Sequence, residues 1–210
     1  MNSLSQRLKQ LQQFTMLEPS HIRFRHWVKL YHSRFPYQER ASVSSIAKSI
    51  RKKESMLQGL ITRQGHWGAF TLCEFYSEST LLAYLATAED YEGQGLASQV
   101  VDNALKQYLS PAEPYFWLEA NPKLWKFYKK LGFKLLDIDY RIPEFYSSGT
   151  EKMGLLVKTN FTLNSISVDV VKAFVSELLL SGYLLTKEDL RYQKQMAIIQ
   201  NYPQSTIALI

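Results

Sequence analysis

Three features of this 210-residue chain could do chemistry. They are the run Asp90-Tyr91-Glu92-Gly93-Gln94-Gly95-Leu96-Ala97-Ser98, the carboxylate Glu119 and the phenol Tyr128. The run follows an unbroken apolar stretch, residues 81–86, and opens a helix-like stretch over 96–108. A buried strand that turns through glycines into a helix is an anion cradle. The helix start offers unpaired N–H groups and a partial positive charge, and glycines let backbone approach a phosphate closely. Such a turn suits a pyrophosphate. Two common phosphate loops are excluded. A P-loop needs Lys followed by Ser or Thr, where Leu96-Ala97 stand, and a dinucleotide fingerprint needs three spaced glycines early in a βαβ unit and a later acid that ends a strand.

The second landmark is Ala120-Asn121-Pro122-Lys123-Leu124-Trp125-Lys126-Phe127-Tyr128-Lys129-Lys130-Leu131-Gly132-Phe133. Leu124, Phe127, Tyr128 and Leu131 fall at i, i+3, i+4 and i+7, one face of a helix. Asn121 suits an N-cap, Pro122 the first turn and Gly132 the C-terminal cap. A short capped helix thus carries a tyrosine on its inward face. On helix position alone, Tyr128 reads equally as a buried tyrosine with a satisfied hydroxyl.

These motifs together resemble the GCN5-related N-acetyltransferase (GNAT) superfamily. EGQGLA is similar to its Q/R-x-x-G-x-G/A acetyl-CoA loop, and N…LWKFYKKLGF to its downstream asparagine, helix tyrosine and "LGF" ending. Phe35-Pro36-Tyr37-Gln38-Glu39-Arg40, Tyr140-Arg141-Ile142-Pro143 and Met153 resemble a bacterial subgroup. The resemblance implies an α+β (mixed α/β) GNAT fold: a central mixed, mostly antiparallel sheet of six to seven strands flanked by helices. It covers residues 14–158, preceded by a polar N-terminal extension, 1–13, and followed by a C-terminal helical extension, 159–210.

The resemblance also implies an acyltransferase using acetyl-CoA as co-substrate, without a metal, by direct attack of an amine in a ternary complex. Backbone around Leu85, Ala86 and Thr87 would pair with the pantetheine arm and the thioester oxygen. Amides from Glu92, Gly93, Gln94, Gly95, Leu96, Ala97 and Ser98 would hold the pyrophosphate. Asn121 reads as a helix cap and as a pantetheine contact, and Tyr128 as the proton donor to the CoA sulfur. Glu119, ending the strand before the capped helix, is the candidate base, with Glu74 and Glu78 as competitors. One departure stands out: Glu92 occupies a position where the family prefers Gln or Arg, and a carboxylate there opposes an anion.

The elements that must position these residues are legible in the periodicity. Residues 20–35 and 42–54 read as helices, and 56–63, 67–76 and 80–88 as three strands. Then come the helix over 96–108, a strand over 115–120, the capped helix, and strands over 133–141 and 152–158. Two further helices, 168–181 and 186–200, lie beyond the resemblance, the second with a capping start at Thr186-Lys187-Glu188-Asp189.

Composition narrows the class without choosing an activity. Cys73 is the single cysteine, which excludes an intrachain disulfide framework and a cysteine cluster for zinc. The four histidines lack metal-ligand spacing, though His26 and Trp27, on the helix that borders the acceptor cleft in this superfamily, could shape substrate binding. No stretch reaches eighteen apolar residues and the first residues are polar, so a cytoplasmic protein without a membrane partner is expected. The net charge of +6 is dispersed, which disfavours a nucleic-acid partner. A catalytically silent acyl-CoA-binding module acting through the C-terminal helices is the alternative function. A homodimer through a sheet edge or those helices stays open.

Overall fold

The computed structural model describes residues 10–210, so most of the polar 1–13 segment lies outside the described residues. Two compact units make up the chain. Of the described residues, the first holds 10–75 and 82–107, and the second holds 76–81 and 108–210.

The first unit is a meander with helices. Strands β1 (Gln12–Met16), β2 (Ser55–Ile61), β3 (Trp67–Tyr76) and β4 (Ser79–Thr87) follow one another in that spatial order. β1 pairs antiparallel with β2, Phe14 opposite Gly59, and β2 pairs antiparallel with β3, Gly59 opposite Phe70. Helices α1 (Ile22–Arg34) and α2 (Val43–Arg51) precede β2, and α3 (Leu96–Tyr108) follows β4. The core is aromatic: Trp27 lies stacked on Tyr31 at 4.9 Å and edge-on to Phe70 at 5.7 Å. Several hydroxyls and indoles of this core donate to backbone, as burial demands, although Trp27 Nε1 is buried with no hydrogen-bond partner. Tyr31 donates to Ala41 O at 3.1 Å, Tyr84 donates to Glu39 O at 3.0 Å, and Trp67 Nε1 donates to Arg23 O at 2.8 Å. Trp27 is fully buried, so it is a core residue and does not line a cleft.

The second unit is built on β8 (Thr150–Thr159). β5 (Tyr115–Ala120) lies antiparallel on one side, with Glu119 opposite Leu155. On the other side are β6 (Lys134–Leu135) and β7 (Tyr140–Pro143), against different stretches of β8. The single strand expected over 133–141 is therefore two. Between them, Asp137 N–H donates to Ala208 O at 3.0 Å and Leu135 exchanges both bonds with Ile210, at 3.0 and 2.8 Å. The end of the chain takes the backbone groups that a continuous strand would have used. With β1, which the polar start of the sequence did not announce, this split makes eight strands in these ladders where six to seven were expected.

Helix α4 (Trp125–Lys130) follows β5. After β8 the chain adds β9 (Ser165–Ser167), α5 (Val168–Glu177), α6 (Leu190–Gln200) and β10 (Thr206–Ala208), which pairs with β9. Phe174 of α5 stacks flat on Trp117 of β5 at 4.6 Å. Buried Gln195 of α6 stands in for a strand neighbour of β7: its Oε1 accepts from Arg141 N at 2.9 Å and its Nε2 donates to Asp139 O at 3.3 Å. Among the described residues no helix is long and apolar enough to cross a membrane.

Helix α6 starts at Leu190 rather than at Thr186, because Asp189 is its cap. Its carboxylate accepts from Arg191 N at 2.8 Å and receives the Arg191 guanidinium at 3.0 and 2.8 Å. These hydrogen bonds lower the Asp189 pKa to about 2. A depressed carboxylate contributes stability that is complete above its unfolded value near 4 and is lost as pH falls toward 2. Wild type is therefore expected to lose thermal stability between pH 4 and 2.5 by a margin that Asp189→Asn lacks, measured by calorimetric melting across that range.

Gly154 generates a second expectation. A Cβ there would meet Trp125 Nε1 at 2.5 Å and Leu135 Cδ1 at 2.7 Å. Overpacking of this kind costs about 1–3 kcal/mol, so Gly154→Ala should lower the melting midpoint by about 2–10 °C.

Candidate active site

In the first unit, the candidate cofactor residues run continuously from the end of β4 into α3. After Thr87 the chain makes one 3₁₀ turn, Glu89–Tyr91, closed by Tyr91 N–H to Ala88 O at 2.9 Å and Glu92 N–H to Glu89 O at 3.1 Å. Gly93 and Gly95 then take φ of +70° and +79°, the left-handed region that disfavours a side chain. A Cβ at either would meet nothing within 4 Å, so it is conformation and not crowding that calls for glycine there. Gln94 staples the turn by donating from Nε2 to Asp90 O at 3.1 Å. The first α3 bond runs from Gln99 N–H to Gly95 O at 3.1 Å, which leaves the N–H groups of Leu96, Ala97 and Ser98 without a helical acceptor.

Packing seats this turn. Leu85 of β4 and Tyr91 pack against a buried cluster of Leu60, Ala69, Leu96 and Val100. The strand end and the helix start thus share one small core, which holds the turn between them in place. Arg34, in the last turn of α1, forms an ion pair with Glu92. No local pattern announces this partner, since the two lie 58 residues apart.

In the second unit, Asn121 Oδ1 accepts from Lys123 N at 3.1 Å and so caps a 3₁₀ turn, Pro122–Leu124, ahead of α4. That turn rotates Leu124 off the inward face, leaving it 48% exposed, and Trp125 takes up the packing. The Trp125 indole donates to Ala120 O at 2.9 Å and lies against Gly154. Helix α4 ends in a Schellman cap. Phe133 N–H reaches Tyr128 O at 3.1 Å, Gly132 N–H reaches Lys129 O at 3.0 Å, and Gly132 has φ +86°. The hydrophobic contact that accompanies such a cap is Tyr128 against Phe133, edge-on at 5.9 Å. Tyr128 is thereby fixed from both ends of a six-residue helix. Burial pushes its hydroxyl pKa well above the ordinary tyrosine value, so it holds its proton.

Glu119 is half-buried, and both carboxylate oxygens accept a phenolic proton: Oε1 from Tyr140 at 2.5 Å and Oε2 from Tyr183 at 2.7 Å. The competitor Glu78 sits in an exposed turn at φ +58°. Glu74 lies on β3 in the first unit, opposite Ser55. Cys73 is buried, and desolvation raises its thiol pKa far above the range of a nucleophile. Among the described residues no group of three or more His, Cys, Asp or Glu could hold a metal ion.

Solved structures resemble this arrangement at the level of fold. A protein of Bacteroides thetaiotaomicron assigned to the GNAT family as an acetyltransferase is 16% identical with a TM-score of 0.68, over 83% of this chain and 99% of that one. A spermidine N-acetyltransferase of Vibrio cholerae in complex with CoA and spermine is 16% identical with a TM-score of 0.53, over 72% and 96%. A dodecameric form of spermidine N-acetyltransferase from that organism is 18% identical with a TM-score of 0.51, over 72% and 94%. No curated protein matches the chain. Residues 23–133 match the Acetyltransferase (GNAT) family, more than half of the 210 residues, and the protein therefore belongs to that family of acetyltransferases.

Proposed function

We propose that this protein moves the acetyl group of acetyl-CoA to a primary amine by direct attack, the amine being a small metabolite, a peptide N-terminus or a lysine. Residues 14–158 would form the acetyltransferase domain and 159–210 an appended helical element. The observation that carries the reading is the β4–α3 turn, two left-handed glycines leading into helix amides with no acceptor of their own. A pyrophosphate supplies the acceptors they lack. Backbone at Leu85, Ala86 and Thr87 would hold the pantetheine arm, and Asn121 would do so while capping its turn. Acetyl-CoA brings an activated thioester, and the rest is positioning and proton transfer by the chain.

Glu119 takes a proton from the ammonium group, which frees the nitrogen lone pair. The N–C bond forms as the C–S bond breaks, and Tyr128 gives its proton to the departing sulfur. The second proton lost by the nitrogen as the amide forms restores the phenol, and the proton on Glu119 passes to solvent. The solved neighbour that carries spermine in its complex makes spermidine and spermine sensible members of an amine panel. The test is calorimetric titration of acetyl-CoA, with desulfo-CoA as competitor, followed by thiol release across that panel. Absence of binding at millimolar acetyl-CoA would overturn the reading.

Glu92 does not oppose this chemistry, because Arg34 neutralises it. Both side chains are partly exposed, so the effect is modest, about 1 kcal/mol. Arg34→Ala is expected to weaken acetyl-CoA binding about five-fold at low salt and less at high salt. Adding Glu92→Gln should restore it, as read by calorimetry at two ionic strengths.

Tyr128→Phe is expected to lower kcat about 100-fold or more while the KM for acetyl-CoA changes little, since only the proton is removed. Burial raises the pKa of Tyr128, so its phenol stays protonated through the accessible range. Wild type should therefore show no alkaline loss of kcat from this group below about pH 10.

A further inference from the structure

The two hydrogen bonds on Glu119 come from outside the segment that matches the family. That match ends at residue 133, whereas the donors are Tyr140 and Tyr183. They differ in character. Tyr140 is fully buried on β7 and holds Oε1 from the core side. Tyr183 is half-buried, and its ring stacks on Phe145 at 5.3 Å. Oε2 is therefore the oxygen nearer solvent, and its partner is contributed by the C-terminal extension.

The backbone around Tyr183 is built for that placement. The sequence pattern runs a helix through residue 181, but α5 ends at Glu177 and widens into one π turn, Leu178–Gly182. Tyr183 N–H reaches back to Leu178 O at 3.1 Å, and Leu185 N–H reaches Leu179 O at 3.0 Å across Leu184 at φ +56°. A π turn followed by a left-handed leucine costs conformational energy, and such features concentrate at functional sites.

Resting on the reading of Glu119 as the base, we infer that Tyr183 is a positioning residue, brought from the C-terminal extension to orient Glu119 and to set how readily Oε2 takes the amine proton. A phenol that donates to a carboxylate favours its charged form. It holds Oε2 in one orientation and occupies one of its lone pairs. On the elements around β5, Tyr140 and Tyr183 are titratable groups that face the carboxylate, and Tyr76 acts on Tyr140. Three charged side chains of these elements have partners of their own. Glu177 of α5 accepts from Ser77 N at 3.2 Å, Lys158 donates to Leu131 O at 2.5 Å, and Lys152 pairs with Asp139 at 3.6 Å.

The test reads the carboxylate directly. Carbon-13 NMR of glutamate carboxyls, with the Glu119 signal assigned by Glu119→Gln, is followed against pH in wild type and Tyr183→Phe. Loss of one hydrogen bond to the charged form should raise the Glu119 midpoint by about one pH unit. The acid limb of kcat/KM, measured with acetyl-CoA and the amine selected by thiol release, should rise by the same amount. Phe145→Leu removes the ring behind Tyr183 without touching its hydroxyl, and should move both in the same direction by less. It also serves as the second variant if Tyr183→Phe folds poorly. If the NMR midpoint stays put in both folded variants, the role of Tyr183 is overturned whatever the turnover shows. If the midpoint moves but Glu119→Gln keeps the wild-type rate and acid limb, the base reading has failed instead, and the role in proton transfer falls with it.

Discussion

An anion-binding turn has to keep several backbone N–H groups free of internal partners while holding them in one arrangement. Unpaired amides are costly when buried and disordered when merely solvated. The chain meets this constraint by packing on either side of the turn. Leu85 before it and Leu96 after it join the same buried cluster, so the ends of the turn cannot drift apart. The glycines between them adopt conformations that a side chain would resist. The meander of the first unit and its aromatic core serve that one junction.

The second unit faces a different problem, how to orient a tyrosine on a helix only six residues long. Such a helix has no stability of its own. It is held instead by Trp125, whose ring lies against the bare backbone of Gly154 and whose indole is tied to Ala120 O. At its far end a Schellman cap joins the Tyr128 carbonyl to Phe133. Removing the side chain at residue 154 and adding a left-handed glycine at residue 132 are complementary devices that fix one helix.

Much of this was legible from the sequence because it depends on neighbours in the chain. The glycine turn, the start of α3, the Asn121 cap and the Gly132 cap all rest on contacts within a few residues, where residue type dictates conformation directly. The boundaries that came out differently depend on distant backbone. Residues 133–141 have the pattern of one strand, yet Ala208 and Ile210 take the hydrogen bonds that would have continued it. Leu124 has helical spacing, yet Pro122 opens a 3₁₀ turn that swings it into solvent. Thr186 begins a fair capping pattern, but Asp189 wins because Arg191 supplies both an amide and a guanidinium to its carboxylate.

The sequence by itself determined the α+β class, the membership suggested by two short motifs, and the identity of the residues that could cradle an anion or donate a proton. Those follow from local geometry and residue chemistry. Only the tertiary structure decided the company these residues keep: Arg34 against Glu92, and Tyr140 and Tyr183 on the two oxygens of Glu119. Those partners are 58, 21 and 64 residues away along the chain. Periodicity carries no information over such separations, because what joins them is the packing of whole elements and not the conformation of any one.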